Sequence, residues 1–482
     1  MYLGLDLGTS GVKALLIDAD QRVIGSANGA LSVSRPHSGW SEQAPADWLR
    51  ATREAIAGLK AQFSAELAAV KGIGLSGHMH GATLIDKSGE VLRPCILWND
   101  TRSYKQAAAL DADPRFRALT GNIVFPGFTA PKLAWVKDNE PEIFAKVAKV
   151  LLPKDYLRFW LTGEYLSEMS DSAGTSWLDT GKRAWSPELL AATDLGQEHM
   201  PGLVEGTDEA GRLRPDLAAE FGMGSGVVVA GGAGDNAASA CGMGTVVEGN
   251  AFVSLGTSGV LFAANGSYLP KPESAVHAFC HALPNTWHQM GVILSATDAL
   301  NWYSTISGKP AGDLTAELGD TLNAPSGVTF LPYLSGERTP HNDAEIRGAF
   351  IGLGHESSRA VLTQAVLEGV SFAIRDSLEA LKSAGSSLSR VTAIGGGSRS
   401  RYWLASIATT LGIPVDIPAD GDFGAAFGAA RLGLIAATGA DPVSVCSAPP
   451  TEASIEPVAA QRDGYEAAYQ RYRALYPAIK AL

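Results

Sequence analysis

Four cysteines stand in 482 residues, at Cys95, Cys241, Cys280 and Cys446, far apart and with no C-x-x-C pair. This excludes a disulfide scaffold and the usual zinc frameworks, and it suits a reducing, cytoplasmic setting for a chain large enough to be stable without crosslinks. Positive charge is also scarce: 38 Lys and Arg face 50 Asp and Glu, a net charge of −12. A nonspecific grip on nucleic acid or on an anionic membrane needs the opposite sign, so neither is expected as a partner, and any anionic ligand has to be held locally. The uncharged stretch 249–270 is interrupted by Gly, Asn, Ser and Thr and by a turn-like Asn265-Gly266, and it reads as two buried strands rather than a membrane span. Met1 leads at once into the strand-like Tyr2-Leu3-Gly4-Leu5, without the basic and apolar regions of a secretory leader. The P-loop pattern is missing, because Gly181-Lys182 continues with Arg183 and Gly308-Lys309 with Pro310. Neither H-E-x-x-H nor G-x-S-x-G occurs, which removes motif support for a zinc protease or an α/β-hydrolase.

What the chain does have is an internal echo. Leu5-Asp6-Leu7-Gly8-Thr9-Ser10-Gly11-Val12 returns as Val253-Ser254-Leu255-Gly256-Thr257-Ser258-Gly259-Val260, so that Gly8 and Gly256 hold equivalent places 248 residues apart. A repeat of half the chain length indicates two similar domains in tandem, not a solenoid. Each copy reads as an apolar strand, a Gly-Thr-Ser-Gly turn and a second apolar strand, which is a hairpin with a small-residue tip. Helices and strands then alternate: a helix after Pro45, a strand over 70–75, a long helix over 359–383, a strand over 391–394 and a helix over 401–411 closed by Gly412. The pattern predicts an α/β fold with a mixed sheet in each half, and a boundary between 243 and 250.

Gly-Thr-Ser-Gly tips expose backbone N–H groups and hydroxyls with little side-chain bulk, as close approach to phosphate requires. One such tip alone reads as an ordinary tight turn; two in equivalent places read as a clamp on one polyphosphate. Asp6 ends an apolar strand beside the first tip, where a carboxylate needs Mg²⁺, a cation or the backbone donors of its own turn. Lys13, in the following strand, is either a phosphate contact or a surface lysine. The run from Val227 to Asn236 leads an apolar strand through Gly231, Gly232 and Gly234 to Asp235 at the start of a small-residue helix. A general base for phosphoryl transfer needs a carboxylate displayed in this way; a helix N-cap is the plainer alternative, for which so many glycines are excessive. Gly395-Gly396-Gly397 follows another strand and lets backbone approach a ligand closely, although it lacks dinucleotide-binding spacing. His78, Met79 and His80 end the 70–75 strand, with His80 expected to donate to a sugar or polyol hydroxyl and Met79 to form an apolar wall. One core and one exposed histidine is the alternative there. Trp98, within Leu97-Trp98-Asn99-Asp100-Thr101-Arg102, suits a polyol-binding loop.

In this order these elements resemble the FGGY carbohydrate kinases, and within them most closely the xylulokinase subgroup. The resemblance runs from Asp6-Leu7-Gly8-Thr9 to Asp422-Phe423-Gly424-Ala425-Ala426, and includes Phe128-Thr129-Ala130-Pro131-Lys132-Leu133-Ala134-Trp135 and Leu334-Ser335-Gly336-Glu337-Arg338-Thr339-Pro340-His341-Asn342. It departs at His78, where relatives carry Gln, and at Val361, where the second family signature carries an acidic or amide residue. The resemblance implies two ribonuclease H-like domains of the actin and sugar-kinase superfamily, 1–246 on the sugar side and 247–482 on the ATP side, around an interdomain cleft. It implies ATP and Mg²⁺ as cofactors, a small sugar as partner and homodimers as a common assembly. By position it makes Asp235 the catalytic base, Met79 and His80 the sugar contacts, Gly256 and Thr257 the γ-phosphate loop, Gly396 and Gly397 the adenosine end, and Asp6 and Thr9 the metal and phosphate side; to these the residue reading adds Trp98 and Asn236 as sugar contacts and Lys13 as a phosphate contact. The activity implied is ATP-dependent phosphorylation of a ketopentose, D-xylulose first.

Overall fold

The computed structural model describes residues 1–419 and 421–481, so the last residue of the expected second domain, Leu482, lies outside the described residues. The echo is two copies of one arrangement. In the first half, Tyr2–Leu7 pairs antiparallel with Gly11–Ile17 and, on its other side, parallel with Gly72–Gly77. In the second, Ala251–Leu255 pairs antiparallel with Gly259–Asn265 and parallel with Val391–Ile394. Each is the centre of a seven-stranded mixed sheet. The Gly8 N–H closes the first tip onto the Gly11 carbonyl at 2.9 Å. The stretch 249–270 forms two buried strands, Ala251–Leu255 and Gly259–Asn265. The strand expected over 70–75 is Gly72–Gly77, because its register with Tyr2–Leu7 carries pairing on to Leu7 and Gly77.

The helices follow their apolar spacing. Pro45–Gln62 buries Trp48, Thr52, Ala55, Ile56 and Leu59 along one face. Arg359–Ser383 begins where the Ser358 side chain accepts the Val361 N–H, and Arg401–Leu411 stops at Gly412, whose φ of +71° suits glycine.

Two helices cross at the junction of the halves. Ala425–Thr438 belongs by sequence to the second half, yet it lies on the first sheet. A Cβ on Gly4 would stand 1.8 Å from the Ala426 carbonyl oxygen, one on Gly74 1.8 Å from that of Ala429, and one on Gly428 1.8 Å from that of Ala238. Backbone touches backbone there, which only glycine permits. Leu15 and Ile17 of the first sheet, Ala238 and Cys241 of the Asp235–Met243 helix, and Ala430 and Leu434 of the late helix share one core. In the other direction, Ala240 packs with Phe252 and Phe262 of the second sheet.

Candidate active site

Sheet register brings the acidic residues to one end of the sheet. Ser76 pairs with Asp6 on one side and with Ala233 on the other, so with strands about 4.8 Å apart the Asp6 and Ala233 backbones lie about 10 Å from each other, and Asp235 follows Ala233 by two residues. Asp235 is the first residue of its helix, and Gly234 holds the cap position. Its Oδ1 accepts from the Asn236 N–H (2.7 Å) and from Asn236 Nδ2 (3.1 Å). Among the described residues no group hydrogen-bonds to the other oxygen and no cation pairs with the carboxylate. Burial first, and the nearby negative charge of Asp6 second, raise its pKa from 3.8 to about 7.

Asp6 accepts from Ser76 Oγ at 2.8 Å, and burial raises its pKa in spite of that bond and of Lys13. Lys13 pairs with Asp422 of the second half, a contact the sequence did not suggest. Thr9 is held from two directions: Gln43 Nε2 donates to its carbonyl (2.8 Å), and Trp98 Nε1 donates to its hydroxyl (3.1 Å). Trp98 is 48% exposed, so an expected sugar contact and an expected phosphate contact form one rim.

Met79 packs its Cγ against Gly234, where a Cβ would come within 2.9 Å. His80 reverses the sense of hydrogen bonding expected of it. Its Nδ1 lies 2.7 Å from the Gly174 carbonyl, which can only accept, and burial followed by the Lys132 charge lowers the ring pKa to about 3. The neutral ring therefore carries its proton on Nδ1 and offers Nε2 as an acceptor for a hydroxyl proton. His80 holds a left-handed backbone (φ +70°) and stacks on Phe128 at 4.5 Å. Its carbonyl takes bonds from Thr129 Oγ1 (3.2 Å) and Lys132 Nζ (2.7 Å), so the segment from Phe128 to Trp135 serves to fix this residue. His78 turns into the core instead, edge-on to Trp48 and with neither ring nitrogen hydrogen-bonded.

On the second sheet, the Gly256 carbonyl accepts from Thr297 Oγ1 (2.7 Å) and the Thr297 N–H (2.9 Å), and the Thr257 carbonyl accepts from the Ala296 N–H (2.8 Å). With its carbonyls committed, this tip keeps exposed Thr257 for a ligand. Thr297 also lines a cavity of about 820 Å³, together with Asn301, Asp320, Gly396, Gly397 and Trp403. That volume suits a nucleoside. Gly395 has a φ of +90°, and a Cβ on Gly397 would meet Leu255 and Trp403 within 3 Å, so the glycine run keeps backbone at the wall. Sequence reasoning missed Thr297, Asp320 and Trp403, which belong to no motif. It also left Arg338 without a role inside a motif it had marked: the guanidinium lies 4.4 Å over Phe125, with Nη1 3.4 Å from His277 Nε2, and its charge helps to keep His80 neutral.

Two sequence profiles account for both halves: the N-terminal domain of the FGGY family of carbohydrate kinases matches residues 1–242, and its C-terminal domain matches 251–437. The chain belongs to the FGGY family of carbohydrate kinases. This FGGY chain is 48% identical over 487 residues to a xylulose kinase of Escherichia coli, covering all of both chains, and 50% identical over 440 residues to one of Klebsiella pneumoniae, covering 90% of each. Among solved structures, a kinase from Brucella ovis described as a "xyloylose kinase" superposes with a TM-score of 0.99 at 70% identity, covering 100% of this chain and 99% of the other.

Proposed function

We propose that this FGGY kinase transfers the γ-phosphoryl group of ATP to the terminal 5-hydroxyl of D-xylulose, with Asp235 as general base. The observation that carries the reading is a half-buried carboxylate that has no cationic partner among the described residues, held near neutrality on a glycine-rich turn beside Asp6. Xylulose is favoured over other sugars by the full-length likeness to xylulose kinases. We place the sugar against Met79, His80, Trp98 and Asn236 on the lobe of residues 1–246. The nucleotide then lies on the lobe of residues 247–482, its adenosine in the cavity at Gly396 and Gly397 and its phosphates toward Thr9, Gly256 and Thr257.

In the reaction the hydroxyl oxygen attacks γ-phosphorus in line, its O–H bond breaks, and the proton passes to Asp235 as the bond to the ADP oxygen cleaves. His80 orients the sugar by accepting one of its hydroxyl protons, and closure of the lobes excludes water as a competing nucleophile. Among the described residues no cluster of three or more His, Cys, Asp or Glu could hold a metal. The oxygen of Asp6 not engaged by Ser76 fits an ion that arrives with the nucleotide, and Asp6 is the residue that would hold it. Mg²⁺ bound there would neutralise charge on the phosphoryl oxygens. The four cysteines are buried and free, which supports a reducing cytoplasm, and among the described residues no helix is long and apolar enough to cross a membrane.

The test is sugar-stimulated ADP release across ketoses and polyols. Xylulose is expected to give the highest kcat/KM, and Asp235→Asn to lower turnover about 10²- to 10⁴-fold. A preference for ribulose or glycerol would overturn the sugar assignment; ADP release indifferent to every sugar would overturn the kinase reading.

A further inference from the structure

Beneath the turn that carries Asp235 lies a sealed set of charges. Lys154, Asp155, Arg158, Glu168 and Asp171 all have side chains 0% exposed. Lys154 Nζ reaches Asp155 Oδ1 at 2.8 Å, Asp171 Oδ2 at 3.0 Å and Glu168 Oε1 at 3.2 Å. Five buried ionisable groups add little to stability, because desolvation offsets their attraction; what they provide is a fixed geometry.

That geometry ends on the glycine run. Arg158 Nη2 donates to the Gly231 carbonyl. Glu168 accepts the N–H groups of Ser170 (2.7 Å) and Asp171 (2.9 Å) and the Ser170 hydroxyl (3.0 Å), which leaves the lone pairs of Ser170 Oγ to accept the Gly234 N–H at 3.1 Å. The N–H groups of Gly231 and Gly232 go to the carbonyls of Asp208 and Gly206. The donor immediately before Asp235 is thus held by Ser170. A run of glycines supplies no stiffness of its own, and Gly232, at φ +74°, sits where a side chain would be strained.

We infer that Ser170, oriented by Glu168 and Lys154, is a positioning residue that aims the Asp235 carboxylate through the Gly234 N–H. It touches no substrate and acts through the backbone of its neighbour. The inference rests on the reading of Asp235 as the base. Displacement of a reacting group by about 1 Å costs on the order of 10²-fold in rate, so the tether sets kcat and leaves nucleotide binding alone.

The experiment compares Ser170→Ala with Ser172→Ala in the full chain. Ser172 is equally buried, in the same segment, and among the described residues its hydroxyl meets only Ser167 Oγ, at 2.8 Å. Ser170→Ala is expected to lower kcat about tenfold to a hundredfold with the KM for ATP unchanged, while Ser172→Ala keeps wild-type kcat. A wild-type kcat in Ser170→Ala, or an equal loss in Ser172→Ala, overturns the inference. Asp235→Asn is measured alongside: if it retains turnover, the base assignment itself falls, and if it is inactive while Ser170→Ala is unimpaired, only the positioning role falls.

Discussion

Replacing Asp235 by Asn should make the protein more stable while it removes the chemistry. Asn keeps the volume and the acceptor that the Asn236 N–H uses, but it cannot ionise. In the folded chain burial and Asp6 hold the Asp235 carboxyl at about 7, against an ordinary value of 3.8. The folded state therefore binds this proton more tightly than the unfolded chain does. The stability it contributes is complete below pH 4 and is lost as pH rises to about 7. At about 1.4 kcal/mol for each tenfold change in proton affinity, ionising this half-buried carboxylate costs about 4 kcal/mol at pH 8. The Asn variant escapes that cost. Urea unfolding followed by tryptophan fluorescence should show Asp235→Asn stabilised by about 4 kcal/mol at pH 8 and by less than half of that at pH 5. A gain equal at the two pH values, or a loss at pH 8, would refute the reasoning. In the wild type, kcat/KM should rise with pH through about 7 as the base loses its proton.

Three further outcomes follow from the geometry. His80→Ala should raise the KM for the sugar about tenfold and leave that for ATP unchanged, as expected for one lost hydrogen bond; because the ring stays neutral far below pH 5, its contribution to sugar affinity should be constant from pH 5.5 to 8. Thr297→Ala removes one of the two hydrogen bonds on the Gly256 carbonyl, leaving the backbone N–H of residue 297, and should raise the KM for ATP several-fold in steady-state kinetics. Gly428→Val puts a branched side chain where a Cβ would already lie 1.8 Å from the Ala238 carbonyl oxygen, and it should destabilise the protein by about 3 kcal/mol or more by urea titration.

Much of this could be read from local pattern. The twin hairpins, the long helix over 359–383 and the glycine approach to Asp235 are short-range features, and each emerged as read because turn chemistry and apolar period act within a few residues. The direction of the His80 hydrogen bond could not be read, because it depends on the Gly174 carbonyl 94 residues away. Nor could the charge cluster: Lys154 and Asp171 belong to different elements and share no motif, and only the fold brings them together out of water. The side of the molecule on which helix Ala425–Thr438 lies was equally hidden. Its small residues mark a close contact, but their glycine partners, Gly4 and Gly74, are more than 340 positions earlier.

That late helix imposes an order on biosynthesis. The amino-terminal sheet leaves the ribosome first, yet the face that meets Ala425–Thr438 stays bare until almost the whole polypeptide has been made. Early strands must wait, collapsed and exposed, for a lid encoded some four hundred codons downstream. A fragment ending near residue 246 should accordingly depend on chaperones or aggregate, and adding the missing helix as a separate peptide should rescue its solubility.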